Sequence, residues 1–279
     1  MRIIDRRLRQ IFLVKVATAS RISLRAAGNG LARAIEAILG ELPAIEWRLA
    51  TGLIDEDCYT NRLTELVLRR VLTATSTCVD VGAHRGLILR LFMKYAPQGR
   101  FLAFEPVPEL FRQLSSELAA ENVHVFGVAL SDATGPSPFN YVLTNPGYSG
   151  LRKRRYDREG ERETEITVET DTLDRVLARE GVGRVDALKV DVEGAEYLVF
   201  RGAVECLERD RPFVLFEHGL GAADCYGNGP EDVFELLCDR CGLHISSLAG
   251  WLRGRPPLDR RALCERYYSG AEYFFLAHP

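Results

Sequence analysis

Asp80, Gly82 and Gly86 close a β-branched run, Thr77-Cys78-Val79-Asp80-Val81, and Glu105 closes the next apolar run, Phe101-Leu102-Ala103-Phe104. At the carboxyl ends of buried parallel strands, these residue types make a nucleotide site. Gly82 lets the chain turn sharply and removes a Cβ where a ligand would lie against the backbone. Gly86 permits close approach at the start of a helix spanning 87–95. Glu105 stands roughly 20 residues beyond the glycines, where a carboxylate can hold both hydroxyls of a ribose.

The fingerprint of a dinucleotide site is G-x-G-x-x-G, which brings a pyrophosphate to the helix N-terminus. Here Ala83, His84 and Arg85 separate the two glycines and the third glycine is missing. An acid at Asp80 repels a pyrophosphate but suits a ligand carrying an ammonium and a sulfonium, so charge favours S-adenosylmethionine. An NAD-dependent oxidoreductase is the alternative enzyme, and a nucleotide-binding scaffold without turnover the alternative outside enzymes. His84 is expected beside the cofactor without a role in proton transfer.

A second constellation carries the chemistry. Leu188-Lys189-Val190-Asp191-Val192-Glu193-Gly194-Ala195-Glu196 reads as a strand ending in a turn and a helix, and Glu217-His218 follow the next strand. In an open α/β sheet, neighbouring strand ends deliver such groups to one crevice, so Asp191, Glu193, Glu217 and His218 should converge. Methyl transfer from a sulfonium is an in-line displacement, and a hydroxyl acceptor needs a base or a metal to become nucleophilic. His218, with an ordinary pKa near neutrality, is the natural base. Asp191 with Glu217 is the oxygen pair for a hard cation such as Mg²⁺. Glu196 should face solvent or a positive partner along its helix.

With these motifs in this order, the chain resembles the FkbM family of S-adenosylmethionine-dependent methyltransferases from about Cys78 to Gly219. The family hallmark has the form L-K-x-D-V-E-G-A-E. Also matching are Asp80-Val81-Gly82-Ala83 with Gly86, Phe104-Glu105-Pro106, Ala129-Leu130-Ser131-Asp132 with Gly135, Ser149-Gly150-Leu151, Thr172-Leu173-Asp174 and Arg201-Gly202-Ala203. His84 stands where many relatives carry Asn. The resemblance implies a Rossmann-like class I methyltransferase fold and O-methylation of a sugar, glycan or secondary metabolite. It implies cofactor contacts from Asp80, Gly82, Ala83, His84, Gly86, Glu105 and Asp191, with Asp132 against the adenine amino group and Asp191, Glu217 and His218 at the reacting end.

The elements that must position these groups are legible as alternating apolar patterns. Strands are expected at 77–81, 100–104, 123–127, 185–190 and 212–216, with helical patterns between them: a doubly wound, mostly parallel α/β sheet. Two further strands, 242–248 and 272–276, form the antiparallel pair with which class I methyltransferases end. An irregular stretch from Gly135 to Thr170 reads as a hairpin-bearing insertion over the site. Before the catalytic domain (57–279) lies a helical arm (1–56) broken at Gly28-Asn29-Gly30, and a helix from Asp57 leads into the first strand.

Composition bounds the remaining classes. The 279 residues carry a formal net charge of −3, too balanced for a protein that lives on nucleic-acid backbone. Seven cysteines at irregular spacing argue for a reducing, cytoplasmic setting rather than a disulfide framework. Cys238-x-x-Cys241 with His244 lacks the second ligand pair of a zinc site. No run is apolar enough to span a bilayer. The basic amphipathic stretch Arg2–Lys15 offers a helix for packing, for homo-oligomer contact or for weak peripheral attachment to an anionic membrane. Arg152-Lys153-Arg154-Arg155 reads as a solvated hairpin face or as a clamp for an anionic acceptor.

Overall fold

The apolar runs build one seven-stranded sheet. β1 (Thr77–Val81), β2 (Arg100–Phe104), β3 (Val123–Phe126), β7 (Ala187–Val190), β8 (Phe213–Glu217), β9 (His244–Ser247) and β10 (Phe274–His278) lie in the order β3-β2-β1-β7-β8-β10-β9. β3, β2, β1, β7 and β8 run parallel, and β10 pairs antiparallel with both β8 and β9. This is the doubly wound class I methyltransferase fold, with the antiparallel pair at its edge. The computed structural model describes residues 21–279, so the basic stretch Arg2–Lys15 lies outside the described residues.

The strand order reverses between β1 and β7, which pair from Cys78↔Ala187 to Val81↔Val190. Parallel strands buried on both faces need continuous apolar sequence. Val79, Val81, Leu102, Phe104, Leu188, Val190, Val214 and Phe216 accordingly form the heart of the core. Two charged residues interrupt these strands, Asp80 and Lys189, and they sit directly opposite each other in the β1–β7 register.

The insertion is a second sheet of three strands. β5 (Gly135–Val142) and β6 (Glu163–Asp171) form an antiparallel hairpin, and the short β4 (Ala129–Leu130) adds parallel to β6, in the order β4-β6-β5. The loop between β5 and β6 carries the basic run.

The chain divides into two compact units, one ending at Leu66 and one from Val67 to Pro279, the cut falling inside the helix Glu56–Val71. In the first unit the expected break at Gly28-Asn29-Gly30 is absent, because helix α1 (Arg21–Leu39) runs through it and stops at Gly40, whose φ is +91°. Gly28 is a packing glycine: a Cβ there would lie 2.8 Å from Leu53 Cδ1. All seven cysteines are free thiols. No helix among the described residues is long and apolar enough to cross a membrane.

Candidate active site

The turn after β1 is docked on the end of β2. The amides of Gly82 and Ala83 both donate to the Phe104 carbonyl, at 3.0 Å each. Glu105, 4% exposed, then closes the turn: its Oε2 accepts the His84 amide at 2.8 Å and its Oε1 the Val107 amide at 2.9 Å. Burial raises the carboxyl and the two amides oppose that shift by favouring the ionised form. A carboxylate has about four lone-pair sites, so two protein bonds leave acceptor capacity for a ribose. His84 itself adopts φ +50°, and burial lowers its pKa.

Gly82 differs from the sequence expectation. A Cβ on it would stand 2.0 Å from the Asp191 carbonyl oxygen, so the space it leaves is filled by protein backbone and not by a ligand. The glycine allows two strand ends to meet. Gly86, at φ +75°, acts as anticipated: it caps the helix Leu87–Tyr95, and a Cβ there would press on Leu114 and Leu118.

Asp80 also differs. It is fully buried, and the cation it attracts is inside the protein. The Lys189 ammonium donates to the Gly82 carbonyl at 2.7 Å and lies 3.5 Å from both Asp80 Oδ1 and Asp191 Oδ2. A lysine this buried is retained only when paired. Lys189 ties the glycine turn to the acid beyond β7, a role that sequence reasoning missed although the residue stood in the quoted motif.

Asp191, Glu193 and Glu217 converge, each offering an oxygen within 4.8 Å of the others. Lys189 holds Asp191 below the ordinary carboxylate range against the effect of burial, helped by a hydrogen bond from Glu217. Burial and the charges of Asp191 and Glu193 push Glu217 well above that range. Glu193 is raised to about 8 by burial and by Asp191, and is ion-paired with Arg154 of the insertion. Its backbone is left-handed at φ +58°, a conformation that a residue of this size adopts only when surroundings impose it.

The strain is imposed by Glu196. The expected solvent-facing acid is 1% exposed, and its Oε1 accepts the amides of Val192 and Gly194 at 3.0 Å each. Burial raises this carboxyl from 4.5 to about 7. The folded state therefore binds a proton that the unfolded chain has released, and stability falls as pH rises through that window. Glu196→Gln keeps an acceptor for the amides but has no proton to lose. Its stability relative to the parent should improve by on the order of 2 kcal/mol between pH 5 and pH 8. Parallel urea-unfolding free energies for the two proteins across that range would discard this account.

His218 does not join the cluster. Its side chain is turned away from Glu217, 1% exposed, against the Tyr267 ring at a centroid distance of 4.8 Å. Burial lowers its pKa to about 4, leaving it neutral. The alternation of side chains along an extended strand end sends Glu217 to the crevice and its neighbour into the core, so the expected convergence of His218 with Asp191 and Glu217 is corrected: only the carboxylates meet. Asp132 stands apart, 3.1 Å from the Arg201 guanidinium, with the Ser131 hydroxyl at 3.3 Å.

The Mg²⁺ pair gains a third oxygen donor in Glu193, while Lys189 already pairs with Asp191 and Arg154 with Glu193. For an adenosyl sulfonium the donor set does fit: a buried, amide-held carboxylate at Glu105 for the ribose, and a carboxylate-lined crevice for positive charge.

The Methyltransferase FkbM domain matches residues 80–242 of the chain. Methyltransferase sdnD of Sordaria araneosa is 34% identical over 155 residues, 46% of this chain and 60% of that protein. The 2-O-methyltransferase NoeI of Sinorhizobium fredii is 26% identical over 156 residues, 50% of this chain and 62% of its own length. The chain thus spans less than two thirds of either relative. A crystal structure of Methyltransferase FkbM from Methylobacillus flagellatus superposes on 75% of this chain and 44% of its own, with a TM-score of 0.45 and 15% identity.

Proposed function

The chain belongs to the FkbM methyltransferase family, and from that premise we propose that it transfers a methyl group from S-adenosylmethionine to a hydroxyl of a sugar, glycan or other small acceptor. The observation that carries the proposal is the carboxylate crevice at the β1–β7 switch point, where Lys189 ties Asp191 to the glycine turn that Glu105 closes.

When bound, S-adenosylmethionine supplies an electrophilic methyl group on a positively charged sulfur. Glu105 accepts the ribose hydroxyls with the lone pairs its amides leave. His84, displayed by the same turn, borders the adenosine. Asp132 accepts from the adenine amino group while keeping Arg201. Asp191 orients the acceptor hydroxyl and takes its proton, with Glu217 and Lys189 keeping its carboxylate ionised and aimed. Three interacting carboxyls share the protons, so the cluster titrates as a unit and the proton taken by Asp191 is spread over it. Oxygen as the acceptor atom agrees with NoeI, a 2-O-methyltransferase.

Calorimetry with S-adenosylhomocysteine and NAD, followed by transfer of labelled methyl to pools of sugars, nucleotide sugars and lipid-linked glycans, tests this. S-adenosylhomocysteine should bind and NAD should not, and turnover should persist in chelator. Glu105→Gln, which loses one acceptor and the charge, should weaken S-adenosylhomocysteine by on the order of 1–3 kcal/mol. Binding of NAD alone, or unchanged affinity in the folded variant, would overturn the assignment.

A further inference from the structure

The four cations of the insertion do not form an open clamp. Lys153 is ion-paired with Glu163, Arg155 sits 2.6 Å from Asp224, and Arg152 lies over the Tyr226 ring at 5.3 Å. The Arg152 and Arg155 contacts, with the Arg152 amide on the Tyr226 hydroxyl and the Arg155 amide on the Gly221 carbonyl at 2.8 Å each, fasten the loop to the segment after β8. Between the two fastened residues, Arg154 turns inward.

The Arg154 side chain is 11% exposed and held on three sides. Tyr148 stacks under its guanidinium at 4.8 Å, Glu193 takes Nη1, and Nε donates to the Arg155 carbonyl at 3.2 Å. A guanidinium has five N–H donors, and the Nη2 edge is left uncommitted by protein among the described residues. Glu193 and Glu217 lie close enough to stabilise its charge. An anionic group on the acceptor would have to compete with Glu193 for the guanidinium and lie beside the ionised Asp191, which disfavours a phosphate-binding role. A neutral hydroxyl has no such difficulty, and a fixed donor beside it favours loss of its proton to Asp191, which makes the oxygen nucleophilic.

We propose that Arg154 is a catalytic residue supplied by the insertion, its guanidinium donating a hydrogen bond to the acceptor oxygen as that oxygen reacts. This rests on the methyl-transfer reading. In the balanced step, the acceptor oxygen forms the new C–O bond while the C–S bond of the sulfonium donor breaks with its electron pair going to sulfur. The hydroxyl proton passes to Asp191, and the donor leaves as a neutral thioether.

The test uses the full chain, labelled S-adenosylmethionine and a pool of neutral methyl glycosides as acceptors. Arg154→Met should lose about 100-fold in kcat, with acceptor KM and S-adenosylhomocysteine affinity nearly unchanged. Added methylguanidinium should restore part of the Arg154→Ala rate. Asp224→Asn separates direct action from a mere latch, because it breaks the Arg155 ion pair that fastens the same loop and leaves the Arg154 guanidinium and the carboxylate cluster in place. A loss in Asp224→Asn as large as in Arg154→Met would reduce Arg154 to a structural tie, and wild-type kcat in Arg154→Met would remove it from the reaction. As a readout without turnover, bound 4-nitrophenol should ionise at lower pH on the parent protein than on Arg154→Met; identical absorbance titrations would count against the proposal. If the parent binds S-adenosylhomocysteine but labels no glycoside, the hydroxyl-transfer reading fails, and this inference with it.

Discussion

Asp191→Asn is expected to abolish most methyl transfer, lowering kcat about 100- to 10,000-fold, the range for losing a positioned acid or base. The substitution is isosteric, so the contact of Gly82 with the Asp191 carbonyl is preserved. Lys189 keeps Asp80 and the Gly82 carbonyl as partners. What disappears is the ionised oxygen that the hydroxyl proton must reach. Donor affinity should therefore change only a few-fold, as checked by calorimetry with S-adenosylhomocysteine beside single-turnover methyl transfer. A folded Asp191→Asn protein with undiminished turnover would remove the carboxylate cluster from the mechanism. His218→Ala provides the contrast: His218 is buried on Tyr267, so its loss should act on stability and leave the pH dependence of kcat in place.

The sheet was legible because its strands are short apolar runs bounded by glycine, proline and charge. The expected 77–81 and 100–104 coincide with β1 and β2, and the expected terminal pair forms at His244–Ser247 and Phe274–His278. The acids at the ends of β7 and β8 were legible for the same reason, since topology alone brings them together. Side-chain direction was not. Whether His218 or Glu217 faces the crevice depends on where extended backbone ends, and one residue reverses it. The charge within β1, Asp80, was read as a ligand contact, although it faces Lys189 across the β1–β7 register. The break expected at Gly28-Asn29-Gly30 failed because a glycine in a helix also serves close packing, here against Leu53. Arg154 could not be singled out from its neighbours, because which cation of four turns inward is fixed by loop anchoring at Tyr226 and Gly221.

Gly82→Ala should be among the most destabilising single substitutions in this chain, by on the order of 3–5 kcal/mol. Two effects add. Gly82 has φ +73°, which an alanine adopts only with strain, and the new methyl would stand 2.0 Å from the Asp191 carbonyl oxygen, a backbone atom that cannot swing aside. Relief requires separating the ends of β1 and β7, and that separation pulls the Gly82 carbonyl from Lys189 and moves Asp191 away from Glu217. Stability and activity should fall together, unlike in Asp191→Asn, where activity falls alone. Gly30→Ala is the control: it adds the same methyl to a helical glycine with nothing within 4 Å of the new Cβ and should be neutral or slightly stabilising. Denaturant midpoints for the three variants would decide the matter. A Gly82→Ala protein as stable as the parent would mean that the strand ends are not in contact as described, and the geometry that aims Asp191 would have to be rebuilt.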